Sequence, residues 1–412
     1  NCGKFSFSYE YLKRMSDKMV KFCRYMRQSV GTLLVTIGVC VLVAVLTFSW
    51  AFLNPIARAL DAIAFTDNYL YTENLKEGDL DYCQDVAFVN MSGVHSRLEI
   101  AEGLDYIAKF GPRVVAMDCI FSHNISSDSI ENDSLRNVIA RIPNFVSAQR
   151  IVKMGDSLAV EQSFYHDVCY NASVNIEDGI VRHFSPDSVT ISTGGENGYS
   201  LTLPSFVGEI LRLGYPDKYK MLQERGNDEE LINYKKMQVD VYDMRKILDM
   251  ELFLDSFDVN DRIILVGDID DLRDYHTIAT ELYGMRRING TLIHAYSIAT
   301  ATKEHRLITN MSTEWAIIWG LLITLAFNYF CCWAYEAYEK TNGMIINFTQ
   351  LGFLLGMMLL GGLTFINFRY NLNYTYAMIG VGLGGFSSEL WLWFESLAPY
   401  QWLAKKWKWL SL

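Results

Sequence analysis

Two aspartates and one histidine occupy positions where the sequence could place chemistry. Asp118 lies near the end of an apolar run from Arg113 to Phe121, and Asp274 and His276 follow a second run from Arg262 to Gly267. Such runs are typical of buried strands, and ligands of open α/β sheets gather at the carboxyl ends of strands. We therefore predict a ligand site at Asp118, Asp274 and His276. The alternative is that both aspartates cap turns and that His276 satisfies a buried backbone group.

An acidic loop directly follows Gly267 and carries Asp268, Asp270 and Asp271. Its spacing imitates the Asp-x-Asp nucleophile loop of haloacid-dehalogenase-type phosphatases, where a carboxylate attacks phosphorus and helps to hold Mg²⁺. However, Asp271 stands where those enzymes usually carry Thr or Val, and the loop falls too late in the domain for the rest of that fold. We therefore expect a solvated acidic turn and no enzymatic activity. The alternative is a cation site formed by these three carboxylates with Asp274.

Two further ionisable side chains of interest are Arg182 and His294. We expect Arg182 either to pair with Asp118 or to lie on the surface of a hairpin. We expect His294, in a helix of small and apolar residues, to be a core residue hydrogen-bonded to the sheet. The seven histidines lack the spacing of zinc ligands on a helix, so we predict neither zinc nor another cofactor.

The charge of the chain is distributed unevenly. Residues 1–29 carry a net charge of +5, residues 53–312 carry 24 basic and 40 acidic side chains, and residues 313–412 are balanced. The acidic middle segment excludes a nucleic-acid-binding protein, because phosphates require clusters of Lys and Arg. Its three cysteines, Cys83, Cys119 and Cys169, cannot all pair, so we expect core thiols or one disulfide.

Four segments are apolar enough to cross roughly 30 Å of hydrocarbon, at 29–52, 315–335, 344–366 and 375–394. The basic segment 1–28 predicts a cytoplasmic N-terminus. Residues 53–312 then lie outside the membrane, and the aromatic, lysine-containing tail 395–412 lies inside. The last two spans carry residues that we expect to pack helices or to function within the membrane, namely Gly352, Gly356, Gly380, Gly384 and Glu389.

The elements that position the candidate residues alternate between strands and helices. A strand at 85–91, a helix at 97–110 and a strand at 113–121 predict a parallel pair with a right-handed crossover. Later elements are a hairpin of 170–176 with 180–184 around an Asp-Gly turn, a helix at 200–213 and a helix at 242–254. The predicted fold is an α/β domain with a mixed, mostly parallel sheet and helices on both faces, followed by membrane helices.

Over most of residues 80–305 this order resembles the CHASE2 domain, an extracytoplasmic sensory module of bacterial membrane proteins. The resemblance is carried by Gly111 to Asp118, Asp178-Gly179 to Arg182, Leu231 to Tyr234, Asp274 to Thr277, and Gly290 to Ala295. One departure is the Trp-Pro-x-x-Arg motif that family members often carry, of which only Arg97 is kept. The cytoplasmic kinase or cyclase that is usual in the family is not expected here, because 18 residues follow the last span.

The resemblance implies a sensory protein of the bacterial inner membrane, with its large domain in the periplasm and both termini in the cytoplasm. Without a fused output domain it would bind a periplasmic ligand or partner and act through another protein or through homo-oligomers. The alternative is a non-enzymatic structural subunit of a multiprotein envelope complex. The sequence does not separate these two functions.

Overall fold

The computed structural model describes residues 2–49, 65–75, 80–121, 129–155, 157–176, 179–193, 198–337 and 342–406. It divides into two compact units, one formed by Asn1–Thr66 with Thr309–Leu412 and the other by Asp67–Ile308. The Asp-Gly turn falls partly outside the described residues, because Asp178 is not described. We describe each unit by itself.

The larger unit, Asp67–Ile308, contains most of the strands. They are β1 (Asp81–Asn90), β2 (Val114–Met117), β3 (Phe145–Met154), β4 (Ser157–Gln162), β5 (Tyr170–Ser173), β6 (Ile180–Val181), β7 (His183–Phe184), β8 (Ser188–Ser192), β9 (Ser200–Pro204), β10 (Glu230–Leu231), β11 (Met237–Asp243), β12 (Ile263–Gly267), β13 (Tyr275–Leu282) and β14 (Met285–Asn289). The smaller unit adds β15 (Thr309–Asn310) and β16 (Tyr370–Asn371).

A seven-stranded sheet organises the larger unit, in the order β11-β1-β12-β2-β3-β4 with β5 beside β3. Every pairing in it is parallel except that of β3 with β4. The carboxyl ends of β1, β12 and β2 are therefore neighbours. This edge of the sheet, which we call the carboxyl edge, is where the sequence places Asp118 and the acidic loop.

Helices occur in both units. They are α1 (Cys2–Ser49), α2 (Phe65–Asn74), α3 (Arg97–Ala108), α4 (Ser129–Arg141), α5 (Phe206–Gly214), α6 (Pro216–Arg225), α7 (Met244–Leu248), α8 (Ser256–Val259), α9 (Gly290–Thr302), α10 (Thr313–Ala337), α11 (Asn342–Phe368), α12 (Thr375–Ser396) and α13 (Ala398–Lys406). Short 3₁₀ turns occur at Leu272–Asp274 and Glu304–Arg306.

Alternation along the strands explains why helices cover both faces of the sheet. Ala87 and Val89 of β1 join a core cluster with α3 and α4, whereas α9 and α5 contact the strands from the other face. The α3 helix begins at a capping box, in which the Ser96 hydroxyl accepts the Glu99 amide and the Glu99 carboxylate accepts the Ser96 amide. The predicted mixed α/β domain with a mostly parallel sheet is confirmed.

Three predicted elements differ from the structure. Residues 200–204 form a strand before α5 because Ser205 caps that helix and Pro204 precedes the cap. In place of the predicted helix 242–254 the structure has the shorter α7, because β11 extends to Asp243, whose side chain caps α7. The predicted hairpin is also wrong: β5 pairs with β3, and β6 pairs with β13. An Asp-Gly turn identifies a change of direction, but it does not fix the strands that pair.

Among the described residues of the smaller unit, three helices are long and apolar enough to cross a membrane, at Lys18–Val43 within α1, Thr313–Ala337 and Met344–Phe368. The prediction of four membrane helices is therefore wrong. The segment 375–394 does fold as α12, which packs against α1, α10 and α11. Its four glycines, the paired serines Ser387 and Ser388, and Glu389 reduce its apolar character.

Candidate functional site

The loops at the carboxyl edge are held by side chains from neighbouring strands. Asn90 at the end of β1 accepts the amides of Ser92, at 3.1 Å, and Ile269, at 3.2 Å. Asp268 after β12 accepts the Ser92 hydroxyl and the Asp270 amide. The acidic loop is thus a hydrogen-bonded turn, because one carboxylate oxygen of Asp268 accepts hydrogen bonds from Ser92 and from the loop's own backbone.

Asp118 follows β2 and lies almost entirely inside the protein, with 10 % of its side chain exposed. The Thr291 hydroxyl, in the first turn of α9, donates to Asp118 Oδ2 at 2.8 Å. Burial, together with the charge of Asp274, raises the pKa of Asp118 to about 7. This carboxyl group can therefore gain or lose a proton near neutral pH.

Asp274 fixes the start of α9 from a neighbouring segment. Its Oδ2 accepts the Gly290 amide at 3.0 Å, and its Oδ1 lies 3.4 Å from His276 Nε2. A Cβ at Gly290 would lie 2.7 Å from that carboxylate, so a glycine is needed for the close approach. A carboxylate at a helix N-terminus also interacts favourably with the helix dipole. Asp274 and His276 therefore lie close to Asp118, as the sequence predicts, in contacts typical of a helix cap.

The remaining carboxylates of the acidic loop do not converge. Asp271 forms an ion pair with Arg273 at 2.8 Å, and this hydrogen bond lowers the pKa of Asp271. Within the described ranges of the chain, no three His, Cys, Asp or Glu side chains are placed to hold a metal ion. The cation site at Asp268, Asp270 and Asp271 is thus not assembled among these residues.

Arg182 pairs with Asp67 and not with Asp118, the partner that the sequence suggested. Its guanidinium group donates to both oxygens of Asp67 in α2, at 2.8 to 3.3 Å. The two side chains are 12 % and 13 % exposed. This pair connects α2 to the strand region between β6 and β7.

The larger unit contains a cavity of about 920 Å³ that no sequence motif predicted. It lies among β3, β5, the β8–β9 hairpin, the start of α5 and one side of α9, and we call it the α9 cavity. Its wall is rich in small hydroxyl residues, which include Ser173, Ser205 and Ser297. No motif marks these positions, because they come from separate segments that meet only in the fold.

His294 connects the α9 cavity with the carboxyl edge. It lines the cavity, and its Nε2 lies 4.0 Å from Asp118 Oδ2. The ring is 8 % exposed and lies 5.0 Å from that of Phe206. Among the described residues its Nε2 has no hydrogen-bond partner, so the predicted bond to the sheet is not formed at this atom. Burial lowers the pKa of His294 to about 4, which leaves the ring neutral at physiological pH.

The other candidate residues differ in their surroundings. Gly380 and Gly384 of α12 closely approach Thr324 and Phe327 of α10, whereas Gly352 and Gly356 line a shallow apolar groove on α11. Glu389 accepts the Tyr335 hydroxyl at 3.5 Å. In the larger unit Cys83, Cys119 and Cys169 are free thiols.

The model of the CHASE2 domain matches residues 84–329, which is more than half of the chain. The match includes the carboxyl edge, the α9 cavity and part of α10. No curated protein and no solved structure gives a significant match to this sequence.

Proposed function

The chain belongs to the CHASE2 domain family, and from that premise we propose that it is a non-enzymatic sensory protein of a bacterial inner membrane. CHASE2 domains are sensory domains. The basic segment before the first apolar helix favours a cytoplasmic N-terminus and a periplasmic larger unit. In this proposal the larger unit binds a small molecule, and a separate protein receives the signal.

One observation carries the ligand-binding proposal, namely the α9 cavity with His294 in its wall. A volume of about 920 Å³ lies within the range of small-molecule sites, roughly 300 to 1,000 Å³. An unpartnered buried nitrogen costs free energy unless another group satisfies it. Nε2 is covered and lies 4.0 Å from Asp118 Oδ2, so a ligand would supply the missing partner once the ring turns toward the cavity. The same helix, α9, bears Thr291 against Asp118, so occupancy can affect the carboxyl edge through one rigid element.

Thermal-shift screening of the full chain in mild detergent tests this function. The probes are amines, dicarboxylates, polyols and amino acids, each applied to the wild type and to Val189→Trp. Val189 is a half-buried residue of β8 that lines the cavity, so tryptophan there fills the space. Thr202→Trp, on β9 and outside the cavity wall, is the matched control. We expect at least one compound class to stabilise the wild type and the control but not Val189→Trp. Equal responses of all three proteins to every probe would overturn the proposal.

A second function, that of a structural subunit in an envelope complex, is favoured by an exposed apolar patch. Phe253 and Phe257 are 73 % and 90 % exposed, and Met250 is 75 % exposed, although Leu254 between them is buried. Large exposed apolar side chains within one short segment are typical of protein-binding surfaces. Exposed acidic residues, such as Asp255, flank them, which disfavours contact with an anionic membrane surface.

Native mass after mild detergent extraction tests this second function. We expect the wild type to run in an assembly, and we expect Phe253→Ser with Phe257→Ser to release the chain from it. Tyr199→Ser, which removes an aromatic ring that is 71 % exposed elsewhere, is the control and should keep the assembly. A wild type of single-chain mass, or a double variant that keeps the assembly, would exclude the patch as the contact.

A further inference from the structure

We propose that the α9 cavity takes a small organic cation, an amine whose ammonium group binds carboxylates at the cavity mouth while its stem lies along the apolar wall. This inference rests on the proposed ligand-sensing function and names the chemical class of the ligand. It follows from three features of the cavity: the charge of its mouth, the neutral polar group in its wall, and the apolar side chains that also line it.

The mouth of the cavity carries an excess of carboxylates. Asp187, Asp228 and Glu229 are exposed there, and Lys153 is the one lysine or arginine among the lining residues of the described chain. His183 Nδ1 lies 3.8 Å from Glu229 Oε2. Asp187 accepts the Tyr219 hydroxyl and the Gln223 amide, so Asp228 and Glu229 are the carboxylates better placed to receive a ligand. Because like charges repel, this mouth disfavours an anionic ligand.

The net charge of the whole segment around the cavity also favours a cationic ligand. The segment 53–312 carries a net charge of −16. A field of one sign over a cleft raises the local concentration of the opposite ion and accelerates its encounter with the site. A small cation is therefore attracted to the cavity before it forms any contact.

The buried polar residues of the cavity wall differ in their hydrogen bonding. The Ser297 hydroxyl donates to Ile293 O at 2.9 Å, and the Ser205 hydroxyl donates to Ser185 O at 2.6 Å, so both serines are already used within the fold. His294 Nε2 is buried and unpartnered among the described residues. The ring is neutral, so it does not repel a cation. Its Nε2 is covered and lies 4.0 Å from Asp118 Oδ2, so it bonds to a second amine or hydroxyl of the ligand when the ring turns toward the cavity.

Apolar side chains also line the cavity. Phe206 and Ile293 are buried cavity-lining residues, and Val189 lines the cavity from the β8–β9 hairpin. A short hydrocarbon stem between two polar ends fits a wall that contains both polar and apolar side chains. Aliphatic diamines and triamines have this pattern, because methylene segments separate their amino groups.

Isothermal titration of the full chain in detergent with four probes tests the inference. The probes are 1,4-diaminobutane, spermidine, butane-1,4-diol and succinate, which vary charge at a similar chain length. We expect the two amines to bind more tightly than the diol, and succinate to bind least. Binding of the amines should weaken as salt increases, because exposed charges are screened.

Variants locate the binding and separate it from attraction to the acidic surface. The double variant Asp228→Asn with Glu229→Gln should weaken amine binding by about tenfold or more, since each tenfold step corresponds to about 1.4 kcal/mol. Glu224→Gln removes an exposed carboxylate of α6 outside the cavity wall and should change the affinity less than twofold. Val189→Trp should abolish the binding.

The outcomes separate this inference from the function on which it rests. If the diol or succinate binds more tightly than the amines and Val189→Trp abolishes that binding, the cation inference is wrong and the ligand-sensing function stands. If amines bind Val189→Trp as well as the wild type, the contact is a surface effect and the inference is wrong. If no probe in the four-compound set or the wider thermal screen distinguishes the wild type from Val189→Trp, both proposals fail.

Discussion

The carboxyl edge of the sheet and the α9 cavity both adjoin His294, but the polar groups of the two regions differ in their hydrogen bonding. At the carboxyl edge, Asp118, Asp268 and Asp274 each accept a hydrogen bond from the protein itself. In the cavity, His294 Nε2 has no partner among the described residues, and the mouth presents exposed carboxylates. The carboxyl edge therefore uses its polar groups to hold the fold, whereas the cavity combines serines that the fold already uses with the exposed carboxylates of Asp228 and Glu229.

This difference bears on how candidate residues are chosen. Aspartates at the ends of buried strands attract attention because they resemble catalytic or ligand-binding groups, yet such positions also need side chains that satisfy the loops and helix starts around them. Changes at the carboxyl edge should therefore reduce the free energy of unfolding, and changes in the cavity should reduce binding. The following predictions test that division, beginning with the largest expected effect.

The Asp118 carboxyl group should make the stability of the larger unit depend on pH. Its pKa is about 7 in the folded protein and 3.8 in an ordinary environment, so the folded state holds a proton that the unfolded state has released. The stabilising contribution is fully present below about pH 4 and is lost as pH rises through 7. Relative to Asp118→Asn, the wild type should lose on the order of 4 kcal/mol between pH 4 and pH 8.

Pulse proteolysis of the full chain across a urea gradient measures this difference at each pH. The neighbouring titratable groups, Asp274, His276 and His294, are present in both proteins, so their contributions largely cancel in the comparison. If the wild type and Asp118→Asn show parallel stability curves from pH 4 to pH 8, then Asp118 does not carry the proton and the carboxyl edge is more solvated than the structure indicates.

The Arg182–Asp67 pair should be the next most costly to break. Replacing Arg182 with Leu leaves Asp67 as a buried carboxylate without this partner, which typically costs about 3 to 5 kcal/mol. Arg150→Leu is the matched control, because Arg150 and Glu161 pair at 2.5 Å with side chains 54 % and 40 % exposed. Such a surface pair is worth about 1 kcal/mol or less. Urea midpoints of the two variants measure the effects, and equal losses would show that Arg182 has no special structural role.

A smaller loss of stability should follow from Gly290→Ala, because the new methyl group would meet the Asp274 carboxylate. Overpacking of this kind costs typically 1 to 3 kcal/mol. The double-mutant cycle with Asp274→Ala isolates the contact, since removal of the carboxylate removes the clash. We expect Gly290→Ala to cost at least about 1 kcal/mol less in the Asp274→Ala background. Additive effects would mean that Asp274 can move away and does not fix the start of α9.

Sequence reasoning predicted the parts of this protein that depend on local pattern. The apolar runs at 113–121 and 262–267 contain β2 and β12, and the proximity of Asp118, Asp274 and His276 follows from parallel strands with adjacent carboxyl ends. Strand pairing was harder, because the Asp-Gly signal near Gly179 says nothing about whether β5 or β13 lies beside β6. Membrane helices were overcounted because α12 has helical length but several polar and small residues.

The α9 cavity could not be predicted because it has no local signature. Ser173 on β5, Asn175 after that strand and Val189 on β8 come from separate places in the chain, and small hydroxyl residues are common in any soluble segment. Arg182 shows the same limit, since its partner Asp67 is 115 residues away in the sequence. Long-range contacts of this kind are determined by the packing of whole elements, which a motif does not specify.

The last prediction concerns His294, which lies at the boundary between the two regions. His294→Phe keeps a flat ring against Phe206 and removes a nitrogen that has no partner among the described residues, so the free energy of unfolding should change by less than about 1.5 kcal/mol. The same change should remove the thermal shift given by the cavity ligand, because the ligand loses its bond to Nε2. His276→Phe is the comparison variant, since His276 lies against Asp274 on the carboxyl edge and should leave ligand binding intact. A loss of more than about 2 kcal/mol for His294→Phe, with ligand binding retained, would mean that the histidine belongs to the carboxyl edge through Asp118, 4.0 Å away. The histidine would then be assigned to the polar edge that holds the fold and not to the cavity that receives a ligand.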